Sequence, residues 1–297
     1  MTARIPVTII GGYLGAGKTT LVNQMLRQAD GARLAVLVNE FGALPIDEDL
    51  IIAQDDTLIS IAGGCICCSF GSDLTAAMQD LATRDPAPDH IIIETSGVAL
   101  PGAIAGSIAL LPRFSVDGIC VLADCAHARA LSQDEYVGDT ITRQFADANL
   151  LLLTKGDLVG TDALDAFRTW LTEHWPAPRQ VLSRHGKVPN AILLGQFSNT
   201  SATATGGHHD AAYASVFLDC DAAVDAQTLA QTLATSETGV LRAKGFVDDM
   251  SGRRALIQIV GPRAEVTFPD EPAAPGLVCI GLAGRLDTDR LRQLTHG

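Results

Sequence analysis

No uninterrupted apolar run in the 297-residue sequence reaches the ~18 residues of a membrane-spanning helix. No membrane anchor is therefore expected. A signal-peptide pattern is also missing, since "MTARIPVTIIGG" runs into a strand-like segment without a cleavage site. Positive charge is scarce. Lysine and arginine number 21 against 34 acidic residues, a formal net charge of −13, which argues against nucleic acid or an anionic membrane as the main partner. A local basic pocket for phosphates survives that argument, because bulk charge says nothing about one site. Internal repeats are absent. The seven cysteines are odd in number and unevenly placed, unlike a disulfide framework. A reducing, cytoplasmic setting is expected, where grouped thiols bind metal or carry out redox chemistry.

What is present is apolar and periodic. Hydrophobic residues make up 47% and charged residues 19%, enough to bury a sizeable core. "IPVTII" (5–10), "RLAVLV" (33–38), "TLISI" (57–61), "HIIIE" (90–94), "GICVLA" (118–123) and "NLLLLT" (149–154) read as buried strands. Between them, Leu21, Val22, Met25 and Leu26 recur at helical spacing. Tyr136, Val137, Ile141 and Phe145 do the same, as do Leu164, Phe167 and Leu171. The alternation predicts a mostly parallel, doubly wound α/β domain over residues 1–195. The Ser/Thr/Gly-rich 196–212 reads as a flexible linker, and the grouped strands of 213–297 as a small α+β domain.

"GGYLGAGKTT" contains Gly12-x4-Gly17-Lys18-Thr19, the phosphate-loop pattern. Glycines let successive backbone N–H groups curl around anionic oxygens, and the following helix offers its N-terminus to the same charge. Lys18 suits the β/γ-phosphates and the Thr19 hydroxyl suits Mg²⁺. Gly12, Gly15, Ala16, Gly17, Lys18, Thr19 and Thr20 are the nucleotide-binding candidates here. The competing reading is a glycine-rich turn, but the strand before and the amphipathic helix after are what the motif requires. Next, "IIIETSG" (91–97) ends an apolar strand in Glu94, placed to serve the same Mg²⁺. "LLLLTKGD" (150–157) ends another strand in Thr154, Lys155 and Asp157. A carboxylate at Asp157 can accept from both the ring N–H and the exocyclic NH₂ of guanine, which favours GTP over ATP.

"GGCICC" (63–68) sets Cys65, Cys67 and Cys68 in a four-residue window. Three thiolates at that spacing can converge as soft ligands, leaving a fourth position open for water or a carboxylate. A Cys65–Cys68 redox couple and plain packing are the alternatives.

"GYLGAGKTT", "NEFG" (39–42), "GGCICC", "ETSG" and "TKGD", in this order, resemble the CobW-like metallochaperone GTPases. "LRAKGFVD" (241–248) and "LVCIG" (277–281) resemble that family's C-terminal domain. The resemblance implies a P-loop GTPase domain and a GTP-hydrolysing chaperone that passes a transition metal to a client metalloprotein. Zn²⁺ is the first expectation, with Co²⁺ or Fe²⁺ as alternatives. It implies Glu40 as a contributor beside Cys65, Cys67 and Cys68, and catalysis by Lys18, Thr19 and Glu94 with Mg²⁺. The water-orienting residue stays open among Asp47, Glu40 and Glu94, and so does a homodimer. The chain departs from the usual pattern at Val38, Ala43 and Thr154, and its linker keeps only His208 and His209. Cys125 and His127 of "ADCAH" read as mainly structural, with an auxiliary ligand pair as the alternative. Cys120, Cys220 and Cys279 read as core. A nucleotide-binding metal or redox sensor without turnover is the rival reading, and a small-molecule kinase or ligase another.

Overall fold

The computed structural model describes residues 4–38, 58–62, 72–183, 187–195, 212–220, 222–270 and 272–295. The chain divides into two compact units, Thr2–Leu193 and Leu194–Gly297. In the first unit the order is β1 (Ile5–Gly12), α1 (Lys18–Arg27), β2 (Leu34–Val38), β3 (Leu58–Ala62), α2 (Ser72–Thr83) and β4 (His90–Glu94). It continues through α3 (Pro101–Ala109), β5 (Phe114–Asp124), α4 (Ala128–Leu131), α5 (Gly138–Asp147), β6 (Leu150–Thr154), α6 (Thr161–His174), β7 (Arg179–Leu182) and α7 (Asn190–Leu193). The strands form one sheet in the order β3-β2-β4-β1-β5-β6-β7, with every pairing parallel.

β2, β4 and β6 are buried at every position, as continuous apolar runs must be when helices cover both faces of a sheet. One face carries Val7, Ile9, Ile91, Ile93, Leu151 and Leu153, packed with buried residues of α2, α3, α5 and α6. α1 stands apart from that cluster and packs on β1 and β4 through Leu21, Val22 and Met25. This is the doubly wound arrangement expected of the alternating pattern. Two details differ. β7 is short and begins with Arg179 and Gln180, so no apolar run announces it. Tyr136 lies ahead of α5 and is exposed, while Ile141 and Phe145 carry the buried face.

α7 is held by both elements that flank the loop between β1 and α1. Asn190 Nδ2 donates to the carbonyls of Met25 at 2.8 Å and Gln28 at 2.9 Å, the last turn of α1. Leu193 O lies 3.3 Å from the buried Thr8 Oγ1 of β1.

The second unit contains β8 (Tyr213–Leu218), α8 (Ala226–Leu233), β9 (Val240–Asp248), β10 (Arg254–Val260), β11 (Arg263–Thr267), β12 (Gly276–Leu282) and α9 (Thr288–Thr295). Its antiparallel sheet runs β11-β10-β9-β12-β8. Ala226, Leu229, Ala230 and Leu233 of α8 and Leu291 of α9 pack with inward strand residues such as Val247, Ile257 and Cys279. Asp225 caps α8 by accepting from the N–H of Thr228 at 2.8 Å. Cys120, Cys220 and Cys279 are buried, as expected of core residues.

Candidate nucleotide site

Parallel order places the carboxyl ends of β1, β4, β5 and β6 along one edge, and the candidate residues gather there. β1 ends at Gly12, and the chain turns through Tyr13–Gly17 into α1. Gly12 (φ 136°), Gly15 (φ 73°) and Gly17 (φ 99°) occupy backbone conformations that side chains resist. At Gly12 space is also closed, because a Cβ would lie 2.9 Å from the carbonyl oxygen of Leu122. Ala16 is buried and Thr20 exposed, one on each side of the loop's exit into α1. Lys18 is buried, and its ammonium donates to Gly12 O at 3.0 Å and Tyr13 O at 3.3 Å. A compact positive charge thus sits against the loop, where it can meet a phosphate.

β4 lies beside β1 with Ile10 opposite Glu94. That register carries the buried carboxylate to the first turn of α1, where Thr19 Oγ1 donates to Glu94 Oε1 at 2.8 Å. Thr95 N donates to Ile10 O at 2.9 Å, so the chain beyond Glu94 stays tied to β1 for one more residue. The following turn then meets the phosphate loop, and a Cβ at Gly97 would lie 2.7 Å from the backbone nitrogen of Leu14.

β6 delivers the last group. Thr154 Oγ1 donates to Ala16 O at 2.9 Å, tying β6 to the loop. Lys155 takes a left-handed conformation (φ 56°), which costs a non-glycine residue ~1 kcal/mol. Its ammonium donates to Asp124 Oδ2 at 2.7 Å. Asp157 is exposed on a short 3₁₀ turn, Gly156–Leu158, so its carboxylate is open to a base donor pair.

Asp124 was not a candidate from sequence, yet it organises this corner. It accepts from Lys155, from the N–H of Ala126 at 2.9 Å, and pairs with His127 Nδ1 at 3.1 Å. Burial pushes its carboxyl upward, but the hydrogen bonds from Lys155, His127 and Ala126 outweigh that, and the net shift is down. Burial and the neighbouring Asp124 charge push the Cys125 thiol the other way, to about 11. At neutral pH, without a metal, Cys125 is therefore a thiol. A cavity of about 290 Å³ lies beside the loop, lined by Leu14, Leu131, Ile141, Phe145 and Gln144, with Asp124 and Lys155 among its polar groups.

Cys65, Cys67, Cys68, Glu40, Asp47, His208 and His209 lie outside the described residues. Among the described residues no group of three His, Cys, Asp or Glu side chains is placed to hold a metal ion. The end of the strand that precedes the cysteine motif is described. Val38, Ala62 and Glu94 stand in register across β2, β3 and β4, and Cys65 follows Ala62 by three residues.

Residues 6–181 match the family described as CobW/HypB/UreG, nucleotide-binding domain. Residues 213–296 match the cobalamin synthesis protein cobW C-terminal domain. Among curated relatives, the zinc chaperone CobW of Sinorhizobium sp is 31% identical, covering 94% of this chain and 93% of its own. The zinc chaperone CobW of Pseudomonas aeruginosa is 30% identical, over 94% of this chain and 88% of its own. The zinc-regulated GTPase metalloprotein activator 1 of Schizosaccharomyces pombe is 33% identical over 55% of this chain and 42% of its own.

Proposed function

Because the chain belongs to the CobW/HypB/UreG family, we propose that it is a GTPase that holds a transition metal and releases it to a client protein as GTP is hydrolysed. The observation that carries the nucleotide half is the Thr19–Glu94 hydrogen bond of 2.8 Å, made beside a buried lysine on a glycine loop. A hydroxyl and a carboxylate are hard oxygen donors, so Thr19 and Glu94 fit the Mg²⁺ that accompanies a nucleoside triphosphate. Bound there, the ion would neutralise charge on the β- and γ-phosphate oxygens. The chain's own part is positional. Loop N–H groups and Lys18 hold the phosphates, and Glu94 meets the start of α1 through Thr19. Asp157 selects guanine, while Asp124 restrains the Lys155 stem against which a base can lie.

The metal half rests on the cysteine motif and on relatives named zinc chaperones. Cys65, Cys67 and Cys68 are the proposed thiolate ligands, with Glu40 as a fourth contributor and Zn²⁺ as the cargo. The strand preceding them ends in register with Glu94, which supports a coupling between γ-phosphate and metal. Linkage makes that coupling reciprocal.

The test is GTP turnover and Zn²⁺ binding measured together. The wild-type chain is expected to bind one Zn²⁺, to hydrolyse GTP, and to change either affinity or rate when the other ligand is present. Cys65→Ser/Cys67→Ser/Cys68→Ser should abolish Zn²⁺ binding and the coupling while retaining GTP binding. Binding without turnover would instead establish the sensor reading, and identical kinetics with and without Zn²⁺ would refute the coupling.

A further inference from the structure

The turn after Glu94 has an organisation that the nucleotide-site reading does not use. Ser96 to Ala99 form a tight turn closed by Ala99 N to Ser96 O at 3.2 Å. Its carbonyls at Gly97 and Ala99 are both taken by one side chain, the fully buried Gln144 of α5. Gln144 Nε2 donates to Gly97 O at 3.1 Å and to Ala99 O at 2.8 Å. Two acceptors on one side fix which way that amide points, because its oxygen cannot replace the NH₂ against carbonyls. One turn further along α5, Asp147 Oδ2 accepts from Gly102 N at 2.8 Å. The start of α3 is pinned too, with the Asp147 carboxylate occupying the space that a Cβ at Gly102 would need.

The peptide after Gly97 is trans, since the described cis bond is Asp85–Pro86. In a trans peptide the N–H points opposite to the carbonyl. Holding Gly97 O toward Gln144 therefore turns the N–H of Val98 away from α5. Among the described residues the N–H groups of Ser96, Gly97 and Val98 have no hydrogen-bond acceptor. The buried Ser96 hydroxyl has none either. Successive N–H groups without acceptors, beside a hydroxyl without one, are the donors from which an anion-binding concavity is made, and this turn abuts the phosphate loop at Leu14.

We infer that Gln144 is a positioning residue for the terminal phosphate: by gripping the carbonyls of Gly97 and Ala99 it presents the Ser96–Val98 turn to that phosphate. The inference rests on the GTPase reading and extends it to a helix outside the nucleotide motifs. Gln144 does not touch substrate. It acts through the turn, so losing its donors should affect the triphosphate state more than nucleotide binding as such.

Gln144→Met keeps the volume and removes the donors. With saturating Mg²⁺, kcat for GTP is expected to fall at least tenfold while KM stays within threefold and GDP affinity is unchanged. In hydrogen exchange, a non-hydrolysable GTP analogue should protect residues 96–100 in the wild type but not in Gln144→Met. Residues 12–20 should be protected in both. Unchanged kcat, or a kcat, GDP affinity and Tm that all decline together, overturns the inference. Gln144→Glu supplies a second, pH-dependent reading of the same contact. A protonated carboxyl can donate one hydrogen bond and a carboxylate none, so its protection of residues 96–100, relative to wild type, should recover in part as pH falls from 7 to 4, through the range where a carboxyl titrates. A flat ratio counts against the inference. If the wild type proves to have no turnover, the GTPase reading fails by itself, and the exchange comparison alone decides the role of Gln144.

Discussion

Gly97→Ala probes how tightly the turn after Glu94 must meet the phosphate loop. A methyl group there would lie 2.5 Å from Leu14 Cδ2, 2.6 Å from Cγ and 2.7 Å from the backbone nitrogen. Leu14 is exposed, so its side chain can rotate aside at little cost. The backbone nitrogen cannot. Ordinary contact begins at 3.4 Å, so turn and loop must separate by about 0.7 Å. Gln144 holds the turn from the other side, which restricts how it can yield. Overpacking of this kind costs ~2 kcal/mol, or roughly a 4–8 °C fall in Tm for a unit of this size. Misplacement near 1 Å in a site that works by positioning lowers kcat by about 10- to 100-fold. Calorimetry and a phosphate-release assay measure the two effects. Adding Leu14→Ala should restore little, because the backbone contact remains. If Gly97→Ala melts and turns over within twofold of the wild type, or if Leu14→Ala rescues it fully, the contact argument is wrong.

Asp124→Asn should lower stability at pH 7 by about 1–2 kcal/mol, the value of a charge-assisted hydrogen bond reduced for the partial exposure of Lys155, and should weaken GTP binding. The native Asp124 carboxyl lies below its ordinary value, so its contribution is present above the unfolded carboxylate pKa of ~3.9 and is lost as pH falls through the native value. The wild-type advantage in denaturant melts should accordingly shrink below about pH 4; an advantage that does not decline at all from there into more acid solution counts against it. With its thiol at about 11, native Cys125 should react with iodoacetamide at pH 8 about 100-fold more slowly than an unperturbed cysteine, by thiolate fraction alone. Mass spectrometry of the 125-containing peptide reads this. Thr19→Val keeps the shape but removes the donor to Glu94, and should raise the Mg²⁺ concentration for half-maximal turnover about tenfold or more, with nucleotide binding in EDTA unaffected. Equal Mg²⁺ curves would exclude Thr19 from the ion's site.

The phosphate loop was legible in the sequence because its chemistry is local: three glycines whose conformations only glycine takes readily, followed by Lys18 and Thr19. Glu94 was legible as a strand end, and its meeting with Thr19 follows from β4 lying beside β1. Asp124 was not. It became relevant only when β5 and β6 paired with Asp124 opposite Thr154, bringing Lys155 within reach. Gln144 was hidden for a related reason, as one polar residue on a helical face read for its apolar neighbours Ile141 and Phe145. β7 escaped because half of its four residues are polar. The antiparallel second unit read well, since Ala255, Ile257 and Ile259 alternate as a half-buried strand must.

The family match over the nucleotide-binding domain stops at residue 181, and a shortened chain ending there would look complete by similarity. By its hydrogen bonds it would be cut too early. It would lack Asn190, whose amide closes the last turn of α1, and Leu193, whose carbonyl faces the buried hydroxyl of Thr8. α1 would fray at the end opposite Lys18, and Thr8 would exchange a protein acceptor for whatever solvent could reach it. Anyone isolating the nucleotide-binding unit should keep twelve residues more than the match suggests, through Leu193.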